Sequence, residues 1–187
     1  MPGLSRHFLF LLASTRFHGN SELLARRAAE HLPAAAGQQW LRLLDLPLPE
    51  FIDLRHDTPY PAPEGNARLL LDATLAATDL VLVTPLYWYS MSVLAKRYFD
   101  YWSDWLRQPA ADFRAAMAGK TLWAVVASSG SAEEAEPLAR TLQLSAINTE
   151  KPPQPALRGL FCVYGLTWPA CGYRCGRRPG RPGQVCW

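Results

Sequence analysis

The chain of 187 residues is 49% apolar and 19% charged, with a formal net charge of +3. That length suits one domain with a substantial core, and that balance is of a globular rather than a disordered chain. No apolar run approaches the roughly 20 residues of a membrane-spanning helix, and the short apolar stretch 8–13 has neither the length nor the cleavage signal of a secretory leader, so the cytoplasm is the expected compartment.

The charge is uneven. Residues 1–150 hold 13 Lys/Arg against 16 Asp/Glu, a net of −3, whereas 151–187 hold six basic residues and no acid. The tail also carries all four cysteines, six of the twelve glycines and six of the sixteen prolines. A boundary is therefore expected near 150, with a folded domain at 1–150 and an irregular tail at 151–187.

In chain order, residues 8–13 form a nearly continuous apolar run, as a parallel strand covered on both faces should. A helix over 21–32 follows, capped by Asn20 or Ser21, with Leu23, Leu24, Ala28 and Leu32 on its apolar side. The more alternating stretch 39–44 suits an edge strand, and a proline-rich loop spans 45–64. A helix is expected over 65–77 with Leu69, Leu70 and Ala73 facing inward, then a buried strand at 80–83. A helix over 92–106, an excursion over 109–119, a strand at 121–127 and a helix over 132–145 complete the domain. This β-α alternation predicts an α/β fold: a doubly wound parallel sheet in three layers. Ligands of such sheets bind beyond the carboxyl ends of the strands, where strand order reverses.

Three loops at those ends are unusual. The first runs from Ser14 through Thr15, Arg16, His18, Gly19 and Asn20 to Ser21; its hydroxyls, amide, guanidinium and backbone N–H groups at a helix start are donors suited to a phosphate. It lacks the Gly-x-Gly-x-x-Gly of dinucleotide folds and the Gly-Lys-Ser/Thr of triphosphate sites, which points to a phosphate monoester. An ordinary capped turn would look the same. The second loop, Pro85-Leu86-Tyr87-Trp88-Tyr89, sets three aromatic rings just past a buried strand, where a flat heteroaromatic ligand or a packed interface would use them. The third, Ser128-Ser129-Gly130, is small enough to let a ring approach backbone.

Together these motifs resemble the flavodoxin-like NAD(P)H-dependent FMN reductase and quinone reductase superfamily. The first loop is similar to its Ser-x-Arg-x-x-(Ser/Gly)-Asn-(Ser/Thr) phosphate loop. The stretch Thr84 to Trp88, followed by Ser92, Lys96 and Asp100, is similar to its Thr-Pro-x-Tyr-Trp flavin loop. The likeness covers residues 7 to about 146. It implies a flavodoxin-like sheet of order 2-1-3-4-5 whose fifth strand falls at 157–164. It implies FMN and NAD(P)H as cofactors, with Ser14, Arg16, Gly19, Asn20 and Ser21 around the phosphate. Pro85, Leu86, Tyr87 and Trp88 would line the ring and ribityl chain, and Ser128, Ser129 and Gly130 its far side. The flavin performs the redox chemistry in this scheme, so no catalytic acid or base is assigned; Lys96 and Asp100 read as a helix-surface pair.

The implied reaction passes a hydride from NADH or NADPH through FMN to a quinone, flavin or similar small acceptor. Tyr98, Tyr101, Trp102 and Trp105 on one helix suggest an aromatic surface for a homodimer. Neither nucleic acid nor a membrane is expected as a partner, and no metal site, since the histidines do not cluster with acids or cysteines and the cysteines lack C-x2-C spacing. Two other readings stay open: an FMN electron carrier without a nicotinamide site, disfavoured by the weakly acidic body, and a flavin-free interaction module. For the tail, a metal site, a basic docking segment and a change of reading frame near 145–155 compete; the loss of every acid with a gain of Arg, Gly, Pro, Cys and Trp favours the frame change.

Overall fold

The computed structural model describes residues 6–149, with side chains as far as Ala146, and the backbone of 161–165. Strands β1 (His7–Leu12), β2 (Gly37–Arg42), β3 (Asp79–Pro85) and β4 (Thr121–Ser128) alternate with helices α1 (Asn20–Ala29), α2 (Gly65–Ala76), α3 (Val93–Trp105), α4 (Phe113–Met117) and α5 (Glu136–Thr149). The four strands are parallel in the order β2-β1-β3-β4, with Leu12 opposite Val83 and Pro85 opposite Ala127. This is the doubly wound arrangement expected, with β2 at the edge. The backbone of Phe161–Gly165 runs parallel beside β4, from Ala124↔Phe161 to Ser128↔Gly165. The rest of the tail, including 157–160 of the expected fifth strand and all the cysteines but Cys162, lies outside the described residues.

Side chains of a strand alternate between faces, and each face has its own core. Leu9, Leu11, Leu80, Leu82 and Val126 pack with α2, α3, α4 and α5, whereas Phe8, Phe10, Leu12, Val81 and Val83 pack under α1 through Ala25 and Ala29. Both faces of β1 and β3 are thus covered, which is why these strands are apolar throughout.

Several expectations need correction. The buried side of α1 is Ser21, Glu22, Ala25 and Ala29, and Leu23 is exposed; small alanines let the helix lie close on Phe8 and Phe10. In α2, Leu70, Leu71, Ala73 and Thr74 face inward while Leu69 is exposed. The 109–119 excursion contains α4, which seats Phe113 and Met117 against Trp102 and Trp105. The aromatic side of α3 is not a free surface: Tyr98, Trp102 and Trp105 are all buried, Trp105 completely. The Tyr98 hydroxyl shares a 2.7 Å hydrogen bond with Thr74, and burial pushes its pKa up to about 12. Those three rings therefore cannot face a partner subunit as expected. Lys96 and Asp100 do form the expected surface ion pair.

The 45–64 loop is held down on α3. Arg97 Nη1 donates to the Leu48 carbonyl at 3.1 Å, the Tyr101 hydroxyl to Pro49 at 3.3 Å, and Gln108 Nε2 to Pro61 at 2.8 Å.

Candidate functional site

The three singled-out loops follow β1, β3 and β4, neighbouring strands, so parallel pairing alone brings them to one edge. Buried hydroxyls then tie them together. The Ser92 amide donates to Thr84 Oγ1 at 3.1 Å, and Ser92 Oγ donates to the Ala13 carbonyl at 2.5 Å while accepting the Ala95 amide at 3.3 Å. Ser92 therefore caps α3, as Ser residues do at helix starts, and joins the ends of β1 and β3. The Leu86 amide donates to the Ala127 carbonyl at 3.0 Å, which joins the second loop to β4.

In the first loop Ser14 is buried and its Oγ accepts the Arg16 amide at 3.1 Å, an ST-type turn that reverses the chain. Gly19, not Asn20 or Ser21, occupies the N-cap position of α1, and no side chain caps it. Leu23 is the first amide bonded within the helix, to the Gly19 carbonyl at 3.0 Å; the amides of Asn20, Ser21 and Glu22 have no intrahelical acceptor. Arg16 is exposed and forms no ion pair among the described residues. Free amides at a dipole's positive end beside an unpaired guanidinium suit an anion.

Glu22 and Arg42 are polar residues here that the sequence did not single out. The Glu22 carboxylate is buried among Arg26, Arg42 and the His18 amide. Burial alone would raise its pKa, but hydrogen bonds and charge from Arg42 and Arg26 outweigh that and hold it at about 2. The i,i+4 spacing of Glu22 and Arg26 was a legible signal; Arg42, twenty residues away, was not.

The second loop is a two-residue hairpin. Tyr87 and Ser90 exchange backbone hydrogen bonds at 2.9 and 3.0 Å across Trp88 and Tyr89, whose φ angles are +50° and +63°. Two successive left-handed residues make a turn of type I′, normally built from Asn and Gly. Bulky residues there store strain. The same turn leaves Trp88 94% exposed and Tyr89 56% exposed, while Pro85 and Leu86 are half-buried at the strand end. In the third loop Ser128 and Gly130 are half-buried and Ser129 exposed, and Ser128 Oγ accepts the Gly130 amide at 3.1 Å. The structure thus gathers all twelve expected residues along one edge, with donors at one end, exposed rings in the middle and a small-residue turn beyond. No group of His, Cys, Asp and Glu suited to a metal occurs among the described residues, and no described helix is long and apolar enough to cross a membrane.

Comparison with known proteins points the same way. The model of the NADPH-dependent FMN reductase family matches residues 7–153. YwqN of Bacillus subtilis strain 168, which carries the name NAD(P)H-dependent FMN-containing oxidoreductase, is 30% identical over 113 residues, 59% of this chain and 60% of that protein. The match therefore spans about three-fifths of the curated relative's length. Among solved structures, the Trp repressor binding protein of Bacillus subtilis superposes with a TM-score of 0.63 at 20% identity, over 86% of this chain and 85% of that one. An NAD(P)H:quinone oxidoreductase of Methanothermobacter marburgensis gives 0.58 at 15% identity, over 87% and 84%. At those identities the likeness is one of fold, and that fold is flavodoxin-like.

Proposed function

On the premise that the chain belongs to the NADPH-dependent FMN reductase family, we propose that it is an FMN-dependent oxidoreductase that takes a hydride from NADH or NADPH and reduces a small acceptor such as a quinone or a flavin. The observation that carries the reading is the edge formed by the loops after β1, β3 and β4: an anion-ready turn beside an exposed, strained aromatic turn. The residues fit FMN. Ser14, Arg16, Gly19, Asn20 and Ser21 would hold its phosphate, Pro85, Leu86, Tyr87 and Trp88 its ring and ribityl chain, and Ser128, Ser129 and Gly130 the far side of the ring.

Bound FMN supplies the group that accepts and donates the hydride. The protein's part is to bind and orient it. Free α1 amides and Arg16 neutralise the phosphate, and the hairpin holds two aromatic rings in place at the cost of backbone strain. No side chain is proposed as a catalytic acid or base, and the proton taken up with the hydride would come from solvent.

The domain is 1–150 on this reading, and Phe161–Gly165 serves as the fifth strand of a 2-1-3-4-5 sheet. The protein is cytoplasmic and a homodimer. Its subunits would meet through the exposed Trp88 and Tyr89 of the hairpin and the exposed Val93 that begins α3.

The test is optical. A yellow protein whose flavin absorption is bleached by NADH or NADPH without oxygen supports the proposal. A yellow protein that stays unbleached is an electron carrier instead, and a colourless protein that takes up no FMN removes the flavin reading altogether.

A further inference from the structure

A carboxylate is an odd neighbour for an anion site, yet Glu22, in the first turn of α1, is only 2% exposed. Its Oε2 accepts the His18 amide at 3.2 Å and Arg42 Nη2 at 2.8 Å; its Oε1 accepts Arg26 Nε at 3.0 Å and Nη2 at 2.7 Å. Arg42 is the last residue of β2, and its guanidinium lies 4.5 Å from the ring centre of Phe17. One side chain thus connects three elements. It reaches the loop through His18, the helix through its own backbone and Arg26, and the edge strand through Arg42, which in turn supports Phe17.

The loop needs such a tie. His18 sits at φ +51°, a left-handed conformation uncommon for residues with a Cβ though more accessible to His than to most. Glu22 is the acceptor of its amide. The arginines outweigh the cost of burying that carboxylate, and because they reach it from different elements the network also fixes a shape. The partners lie on the loop and on the strand beside it.

We propose that Glu22 is the positioning residue of the 14–21 loop, and that its carboxylate, acting through the His18 amide and Arg42, sets the loop in the shape that receives the phosphate of the flavin nucleotide. This rests on the reading of that loop as an FMN-phosphate site. The sign of the effect separates the proposal from simple electrostatics. If Glu22 were only a nearby negative charge, neutralising it would relieve repulsion and tighten FMN binding. If it shapes the loop, neutralising it weakens binding.

The experiment compares FMN with riboflavin, which has the same ring and no phosphate, by quenching of flavin fluorescence in the wild type, Glu22→Gln and Asp79→Asn. Among the described residues Asp79 is the other buried carboxylate bonded to an arginine, and it lies at the opposite, amino end of the strands, at the start of β3. Glu22→Gln is expected to weaken FMN by about tenfold or more, the worth of one charge-assisted hydrogen bond, with riboflavin affinity unchanged. Asp79→Asn is expected to leave both affinities unchanged. Should Glu22→Gln not fold, Glu22→Asp keeps the charge but draws the carboxylate back from the His18 amide, and it carries the same expectation, whereas charge alone would leave FMN affinity unchanged.

Unchanged or tightened FMN binding in the variant overturns the proposal while leaving the flavin reading intact, as does an equal loss for both flavins. A wild type that binds the two flavins equally removes the phosphate assignment and the proposal with it. A wild type that binds neither removes the function proposed above.

Discussion

The two ends of the sheet solve the same problem, a buried carboxylate, in different ways. At the amino end Asp79 is 1% exposed and accepts from Arg6 Nε at 3.0 Å, Thr78 Oγ1 at 2.7 Å and Trp123 Nε1 at 2.8 Å. All three partners belong to strand starts or the turn before β3, so the cluster staples β1, β3 and β4 together. At the carboxyl end Glu22 is equally buried, but its partners include a left-handed loop residue and an edge-strand arginine that supports an exposed phenylalanine. There the chain also tolerates bulky residues at positive φ and leaves aromatic rings in water. One end is satisfied and quiet; the other is held in a shape it would not keep alone. Three of the four described non-glycine residues at positive φ, and the exposed rings of the second loop, lie at that end, which supports the function proposed there.

The largest expected effect lies at the quiet end. Asp79→Ala leaves the half-buried Trp123 indole N–H without its acceptor and frees Arg6, and should cost about 3 kcal/mol in urea unfolding with no change in flavin affinity. A loss of flavin affinity comparable to the loss of stability would erase the contrast between the ends.

Next comes acid. The Glu22 carboxyl lies near 2 in the fold against an ordinary 4.5, so its contribution is fully present above about pH 4.5 and is lost as the pH falls toward 2. The difference corresponds to about 3 kcal/mol. Wild-type stability should therefore fall more steeply over that window than that of Glu22→Gln, and parallel pH profiles would show that the carboxyl is not held low.

A smaller effect of opposite sign is expected at the aromatic hairpin. Replacing Trp88 by Asn and Tyr89 by Gly gives the turn its preferred residues and should raise stability by about 1 to 2 kcal/mol, while flavin binding weakens. A turn that is destabilised by Asn-Gly would mean that the rings pack more than their exposure indicates.

The smallest is Ser92→Ala, which removes the α3 cap and the bond to the Ala13 carbonyl. About 1 kcal/mol of stability should be lost, read as a lower thermal midpoint.

Much of this was legible before the fold was known. The unbroken apolar runs of β1 and β3 marked them as central, and the Ser14–Ser21 and Thr84–Trp88 loops marked the candidate edge. Other features were not. A five-residue helix such as α4 carries too little periodicity to be told from a loop. The rings of Tyr98, Trp102 and Trp105 have the same helical spacing whether they meet Phe113 or solvent. Neither Trp88 nor Tyr89 signals a left-handed turn, because that conformation is imposed by the pairing of Tyr87 with Ser90.

By itself, then, the sequence determined the alternation of strands and helices, which strands are central, and where a phosphate and a flat ring could be met. Local spacing suffices for that, because strand and helix periods and turn residues act between near neighbours. The tertiary structure alone decided which aromatics are core and which are free, and how each buried carboxylate is compensated. Glu22 meets Arg42 across 20 residues and Asp79 meets Arg6 across 73. Such pairs exist only once parallel strands have brought distant segments side by side, and no local pattern records them.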